Sequence, residues 1–330
     1  VTIEIAQFGA GRIGQIHASN IAASPGARLR YVVDVNAEAA KKLAARHGAK
    51  VASEAEAFAD RAVNAVLIAS STDTHARLAI AAARAGKAIF CEKPIDLSLK
   101  KVDECLAEVK KAGVPMFVGF NRRFDPSFAA LKRRLDAGEI GAVEQVVISS
   151  RDPSPPPLAY VKVSGGQFRD MTIHDFDMAR WLLGEEPVEV FAWGAALIDK
   201  KIGAAGDTDS AMLILRTASE RMCHINNARR AAYGYDQRIE VFGAKGLLRA
   251  ENVGETTIEH FHAKGTVSDV PLHFFLERYA AAYRAELAAF LSALERGQSM
   301  PVGAHDGRQA LVVAEAAIQS LKSGKAVPIG

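Results

Sequence analysis

Three stretches of this 330-residue chain carry residue types whose spacing suits chemistry. Gly9-Ala10-Gly11-Arg12-Ile13-Gly14 is a G-x-G-x-x-G that follows the apolar run Ile3 to Phe8. The first glycine permits a tight turn, the second lets backbone approach a pyrophosphate, and the third lets a helix pack on the strand. The amides that open such a helix, at Arg12 and Ile13, are suited to phosphate oxygens. Asp34 lies 20 residues beyond Gly14, where an acid accepts ribose hydroxyls, and Val35 and Asn36 supply no cation for a 2′-phosphate. The pattern therefore points to NAD rather than NADP. Cys91-Glu92-Lys93-Pro94 closes a second apolar run. A lysine there can polarise an oxygen at the nicotinamide carbon, or simply be a solvated cation before a proline turn. Asp170-Met171-Thr172-Ile173-His174-Asp175 begins a helix after Gly165-Gly166. Asp170 and His174 are i and i+4, so both project from one face. A neutral histidine is the usual acceptor of a hydroxyl proton at neutral pH. The plainer reading makes Asp170 a helix-start acid beside a partly buried His174.

Other polar groups carry weaker signals. Ser70, Ser71, Thr72 and His75 sit at a further strand-to-helix turn, either lining the nicotinamide ribose or capping the helix. His260 and His262 share one strand face but lack a third ligand, and Asp170, His174 and Asp175 diverge around a helix. No metal site is expected. His17 reads as a packing residue.

These groups need elements to position them. Up to about residue 120, short apolar strands (Ile3 to Phe8, Leu29 to Val33, Ala65 to Ala69, Ala88 to Cys91, Met116 to Gly119) alternate with helical stretches. That pattern implies a doubly wound α/β domain with a parallel sheet covered on both faces. After a proline-rich loop at Asp152 to Pro157 comes a helix from Asp170 to Leu183. Strands then follow one another: Val188 to Trp193, Ser210 to Thr217, Arg221 to Asn227, Arg238 to Gly243, Leu247 to Glu251 and Thr256 to Phe261. Sequential strands imply an α+β domain with a large, mainly antiparallel open sheet. Helices from Phe275 to Arg296 and His305 to Ser323 finish the chain. The expected domains are residues 1–120 and 121–330. Met212-Leu213-Ile214-Leu215 alternates poorly, as expected if both faces of its strand are buried.

Composition narrows the class. Hydrophobic residues at 49% and charged residues at 24% suit a globular protein with a sizeable core. A net charge of +3 is too small to argue for nucleic acid, and no apolar run reaches the roughly 20 residues of a membrane span. Neither a signal peptide nor a disulfide framework is expected, since the three cysteines are widely spaced in apolar contexts. A cytoplasmic protein is the expectation.

The glycine loop, Glu92-Lys93-Pro94, and Gly165-Gly166 leading to Asp170 and His174 occur in an order that resembles the glucose-fructose oxidoreductase/inositol dehydrogenase family over essentially the whole chain. Gly119 to Asp125, Ser154 to Pro157 and Asp170 to Arg180 carry the resemblance towards inositol-oxidising members. It implies a Rossmann domain binding NAD through Gly9, Gly11, Arg12, Ile13, Gly14, Asp34, Ser70, Ser71, Thr72, His75, Glu92 and Lys93. It implies a catalytic triad of Lys93, Asp170 and His174, and polyol contacts from Arg122, Asp152, Tyr235 and Tyr283. Asn121 departs from the apolar residue expected before the Arg122-Arg123 pair. The implied reaction is oxidation of a polyol, myo-inositol at its axial hydroxyl foremost. Another inositol isomer or an aldose, a sugar- or NAD-sensing regulator, and a glycosidase with tightly held NAD are the alternatives. The resemblance also implies dimers or tetramers paired through the outer face of the antiparallel sheet.

Overall fold

The computed structural model describes residues 2–330, which form two compact units. One runs to Asn121 and takes in Ala282–Leu311; the other comprises Arg122–Ala281 and Val312–Gly330.

In the first unit, strands β1 (Ile3–Phe8), β2 (Ala27–Val33), β3 (Lys50–Val51), β4 (Ala65–Ile68), β5 (Ala88–Glu92) and β6 (Met116–Gly119) form one parallel sheet in the order β3-β2-β1-β4-β5-β6. Between them run α1 (Arg12–Ala23), α2 (Ala37–His47), α3 (Glu54–Ala59), α4 (Thr72–Arg84) and α5 (Leu99–Ala112). The central strands β4 and β5 are buried along their whole length, which is why they read as continuous apolar runs. β3 and α3 escape the sequence reading because β3 is two residues long; α3 is nonetheless marked by a capping box, Ser53 with Glu56. Strand order reverses between β1 and β4, so the carboxyl ends of those strands flank the crevice where doubly wound sheets take ligands.

The second unit opens with a 3₁₀ turn at Asn121–Phe124 and α6 (Pro126–Asp136). Strand β7 (Val143–Arg151) is followed by α7 (Leu158–Val161), α8 (Gln167–Asp170) and α9 (Thr172–Leu183). Next come β8 (Pro187–Ala195), α10 (Lys200–Ala204), β9 (Ser210–Thr217), β10 (Met222–Ala228), β11 (Asp236–Gly243) and β12 (Gly246–Ala250). A short hairpin, β13 (Glu259–His262) and β14 (Gly265–Ser268), precedes α11 (Phe275–Arg278); α12 (Ala280–Arg296) and the start of α13 (Ala304–Ser323) belong to the first unit, and the rest of α13 with β15 (Val327–Pro328) to the second. The seven-stranded sheet has the order β12-β11-β7-β10-β9-β8-β15. All pairs are antiparallel except β7 with β10.

Three expectations change. The helix expected over 170–183 is interrupted at Met171, so Asp170 closes α8 and His174 lies in the first turn of α9. The strand expected over 256–261 is not part of the large sheet; every residue of β13 and β14 is exposed, and the hairpin has no apolar face to bury. In β9, Ala211, Leu213 and Leu215 are buried but Met212 and Ile214 remain 57% and 50% exposed, so within this chain only one face of the strand is covered. α9 packs against β7 and β10 in this unit, and Ser320 of α13 receives the Ala192 amide of β8.

Candidate active site

The loop after β1 is made of backbone. Gly9 has φ +108°, and a side chain there would run into the Ala69 carbonyl at the end of β4. One at Gly14 would strike the Gly9 carbonyl, whereas Gly11 faces open space with no atom within 4 Å of where a Cβ would stand. α1 starts at that open side without a side-chain cap, leaving its first amides for a ligand's oxygens. Gln7 was not anticipated: fully buried, its Nε2 donates to the carbonyls of Gly9 (2.9 Å) and Gly14 (2.8 Å) and fixes the loop from beneath. A lone amide side chain inside an apolar strand was the available signal. Asp34 also does more than the spacing indicated. Its carboxylate accepts the Ala10 amide (2.6 Å) and the Asn36 amide (2.7 Å), tying β2 to the loop while keeping acceptor capacity on both oxygens. These residues fit a pyrophosphate on the loop and a ribose at Asp34.

At the end of β4, Ser70 Oγ shares a 2.6 Å hydrogen bond with Thr74, Ser71 is the exposed N-cap residue of α4, and Thr72 begins that helix. His75 is buried, with Nδ1 2.8 Å from the Pro94 carbonyl and Nε2 3.1 Å from the Ser70 carbonyl. It therefore joins the β4–α4 turn to the turn after β5. That second turn holds Glu92, buried, and Lys93, half-buried, before a cis Lys93–Pro94 peptide. Arg12 and Ile13 open α1. Tyr283 belongs to this same first unit, buried with its ring edge-on to His17 at 5.7 Å.

In the second unit, Asp170 accepts from Tyr160 Oη at 2.9 Å, and its other oxygen lies 3.5 Å from Arg229 Nη1. His174 is half-buried one turn further on. Asp152 retains some exposed surface, yet desolvation pushes its pKa up to about 6, opposed by Arg229 and reinforced by Asp170. Arg229 is the important omission from the sequence reading. Its side chain is 2% exposed, and Nε and Nη2 are buried without a hydrogen-bond partner. A buried guanidinium with unsatisfied donors beside two acids is a strong donor set for hydroxyl oxygens. Arg229-Arg230 at the end of β10 looks like a solvated pair in sequence, which hid it.

Arg122 is placed differently from a free substrate contact. Its Nη1 is 2.5 Å from Asp175, its Nη2 donates to Ser150 (3.2 Å), and both Arg122 and Asp175 are buried. Asn227 Nδ2 reaches the other Asp175 oxygen at 2.9 Å and Thr172 meets Asn227 at 2.6 Å. This network clamps α9 to β7 and β10. Tyr235, 5% exposed, packs edge-on to Phe274 and Tyr279 at 6.1 and 5.9 Å. His260 and His262 lie on the exposed hairpin, their rings 5.0 Å apart. All three cysteines are free and buried.

The sheet order, the glycine cradle and Asp34 together define a nucleotide-binding Rossmann unit. Residues 3–120 match the family model described as an oxidoreductase family, NAD-binding Rossmann fold, and residues 128–249 match the GFO/IDH/MocA C-terminal domain. The chain belongs to the GFO/IDH/MocA oxidoreductase family, and its cofactor is NAD. It is 50% identical to an inositol 2-dehydrogenase of Rhizobium meliloti, the match covering 100% of both chains. The crystal structure of a myo-inositol dehydrogenase from Corynebacterium glutamicum superposes with a TM-score of 0.96 at 44% identity, covering 100% of this chain and 99% of that one. A scyllo-inositol dehydrogenase from Lactobacillus casei, solved with bound NAD(H) and scyllo-inositol, gives 0.92 at 29% identity over 100% and 99% of the two chains.

Proposed function

We propose that this protein oxidises myo-inositol at its axial 2-hydroxyl to the 2-keto inositol. The observation that carries the reading is the polar cluster of Asp152, Asp170, Tyr160 and Arg229, supported by full-length likeness to inositol 2-dehydrogenases. A neutral polyhydroxylated ring offers a donor and an acceptor at every carbon, and each buried hydroxyl must be paired. Two acids beside one guanidinium supply both kinds of partner, and their charge disfavours sugar acids and phosphates.

His174 takes the hydroxyl proton as general base. Lys93 donates a hydrogen bond to the same oxygen and stabilises the charge that develops there. Asp170, held by Tyr160, receives a neighbouring hydroxyl and sets the ring's orientation. Gly9, Gly11 and Gly14 with the α1 amides hold the pyrophosphate, Asp34 the adenosine ribose, and the Ser70–His75 and Glu92–Lys93 turns the nicotinamide end. Bound NAD supplies the acceptor for the two electrons and the hydrogen that leave the carbinol carbon. The unit that runs to Asn121 and takes in Ala282–Leu311 thus serves the cofactor, and the other, Arg122–Ala281 with Val312–Gly330, the substrate and self-association. Three free buried cysteines agree with a reducing cytoplasm.

The outer face of the large sheet is assigned to self-association. Register places Phe191 beside Ile214 and Trp193 beside Met212, and these side chains are 37%, 50%, 65% and 57% exposed. A contiguous apolar face of that kind marks an interface.

Incubation with free NAD and a panel of myo-inositol, scyllo-inositol and D-glucose tests the substrate. The expected result is NADH accumulating well beyond one equivalent, with the highest kcat/KM for myo-inositol. A higher kcat/KM for D-glucose or scyllo-inositol reassigns the substrate, and no accumulation with any polyol removes the dehydrogenase reading.

A further inference from the structure

Beneath the turn that carries Lys93, three buried titratable side chains from three separate elements meet. His17 of α1 is fully buried, and its Nε2 lies 2.7 Å from Oε1 of Glu92, the last residue of β5. Glu286 of α12 is also fully buried, and neither of its carboxyl oxygens has a hydrogen-bond partner. One ligand atom from each of the three falls within 4.8 Å of the others. The surroundings are aromatic: Phe90 is 5.0 Å from the His17 ring, Tyr283 5.7 Å from it, and Phe290 5.5 Å from Phe90. On the far side, even a methyl group at Gly119 would stand 3.1 Å from the Glu92 carboxyl.

A second buried carboxylate beside Glu92, among aromatic rings, would be opposed both by burial and by a like charge. Desolvation, with the charge of Glu92 added, raises the Glu286 pKa well above the ordinary carboxylate range. The titratable groups facing it are His17 from α1, Glu92 from β5 and, along its own helix, Tyr283 against His17. We propose that Glu286 is a positioning residue, a neutral carboxylic acid that packs within 4.8 Å of the Glu92–His17 pair and so supports the turn that presents Lys93. The inference rests on the role assigned to Lys93 above, but its physical content is independent of the substrate.

Neutrality has a thermodynamic signature. The folded chain keeps the Glu286 proton, whereas the unfolded chain releases it above the ordinary carboxylate pKa. The folded state then binds more protons, and stability falls as pH rises through that window. Glu286→Gln keeps shape and a donor but removes the titration. The expected result is a Tm advantage of Glu286→Gln over wild type that grows between pH 5 and pH 8, with kcat within about 2-fold of wild type. Glu286→Ala, which leaves no donor, should lower kcat by about 10- to 100-fold with little change in the myo-inositol KM, the cost of a misplaced catalytic group. Hydrogen exchange at residues 88–96 should be faster in Glu286→Ala than in Glu286→Gln, a readout needing no substrate. A Tm difference flat with pH overturns the neutral acid. Equal exchange in the two variants overturns the positioning role. One equivalent of divalent metal in purified wild type, absent from Glu286→Gln, shows instead that the cluster is a metal site. If wild type oxidises no polyol while the Tm and exchange results hold, the dehydrogenase reading fails and this one stands.

Discussion

Asp152, with its pKa raised to about 6 chiefly by desolvation, gives the candidate site a pH signature. The sign follows from the direction of the shift. Below about pH 6 the folded protein holds Asp152 neutral, and above it the carboxylate is available as a hydroxyl acceptor opposite Arg229. kcat/KM for myo-inositol should therefore rise through pH 6, and Asp152→Asn should flatten that limb while lowering the plateau. An unchanged limb in the variant would assign it to another group. His174→Ala should lower kcat by about 10²- to 10⁴-fold with little change in NAD affinity, because the residue acts on the proton and not on the cofactor. Steady-state kinetics beside fluorescence titration of NADH separate the two effects. The glycine turn, and the places of Lys93 after β5 and of His174 at a helix start, were legible in the sequence because each lies in a short motif whose spacing has local meaning. Arg229, Tyr160 and Gln7 were not. Their partners Asp170, Asp170 and Gly14 are 59, 10 and 7 residues away, and only the fold makes those pairs neighbours.

Two clamps decide whether the elements present these side chains correctly. The first is Asp34, which accepts the Ala10 amide and is the residue proposed above for the ribose. Asp34→Ser should weaken NAD binding by about 10- to 100-fold, the worth of charge-assisted hydrogen bonds. Adding Val35→Arg should shift preference towards NADP without restoring full affinity, because the loop anchor is still missing; full recovery with NADP would show that the anchor contributes nothing. The second clamp is the buried Arg122–Asp175 pair between the 3₁₀ turn and α9. Asp175→Ala strands a buried guanidinium and should destabilise the protein by about 3–5 kcal/mol, read as a lowered Tm. Strand limits in the first unit, β3 aside, were legible to within two residues, since strands buried on both faces read as continuous apolar runs. The break at Met171 was not legible. Asp170, held by Tyr160 and Arg229, and Thr172, held by Asn227, are pinned by contacts remote in sequence, and residue spacing carries no trace of them.

At the scale of the whole molecule, strand alternation could not tell which face of β9 the chain itself covers: Leu213 and Leu215 are buried, whereas Met212 and Ile214 are exposed. Ile214→Glu places a charge in the middle of the exposed apolar row and should shift the sedimenting species from an oligomer to the monomer. An unchanged sedimentation coefficient would assign that face another role. The family, fold and cofactor stand on the whole chain; the carbon that reacts is the most specific claim, and isotopic labelling reads it directly. With myo-inositol carrying deuterium only at C2, the account predicts NADH labelled on the nicotinamide ring, a 2-keto product free of deuterium, and a slower turnover than with unlabelled substrate. Deuterium retained in a keto product, with unlabelled NADH, would show that oxidation takes place at another carbon and would contradict the account.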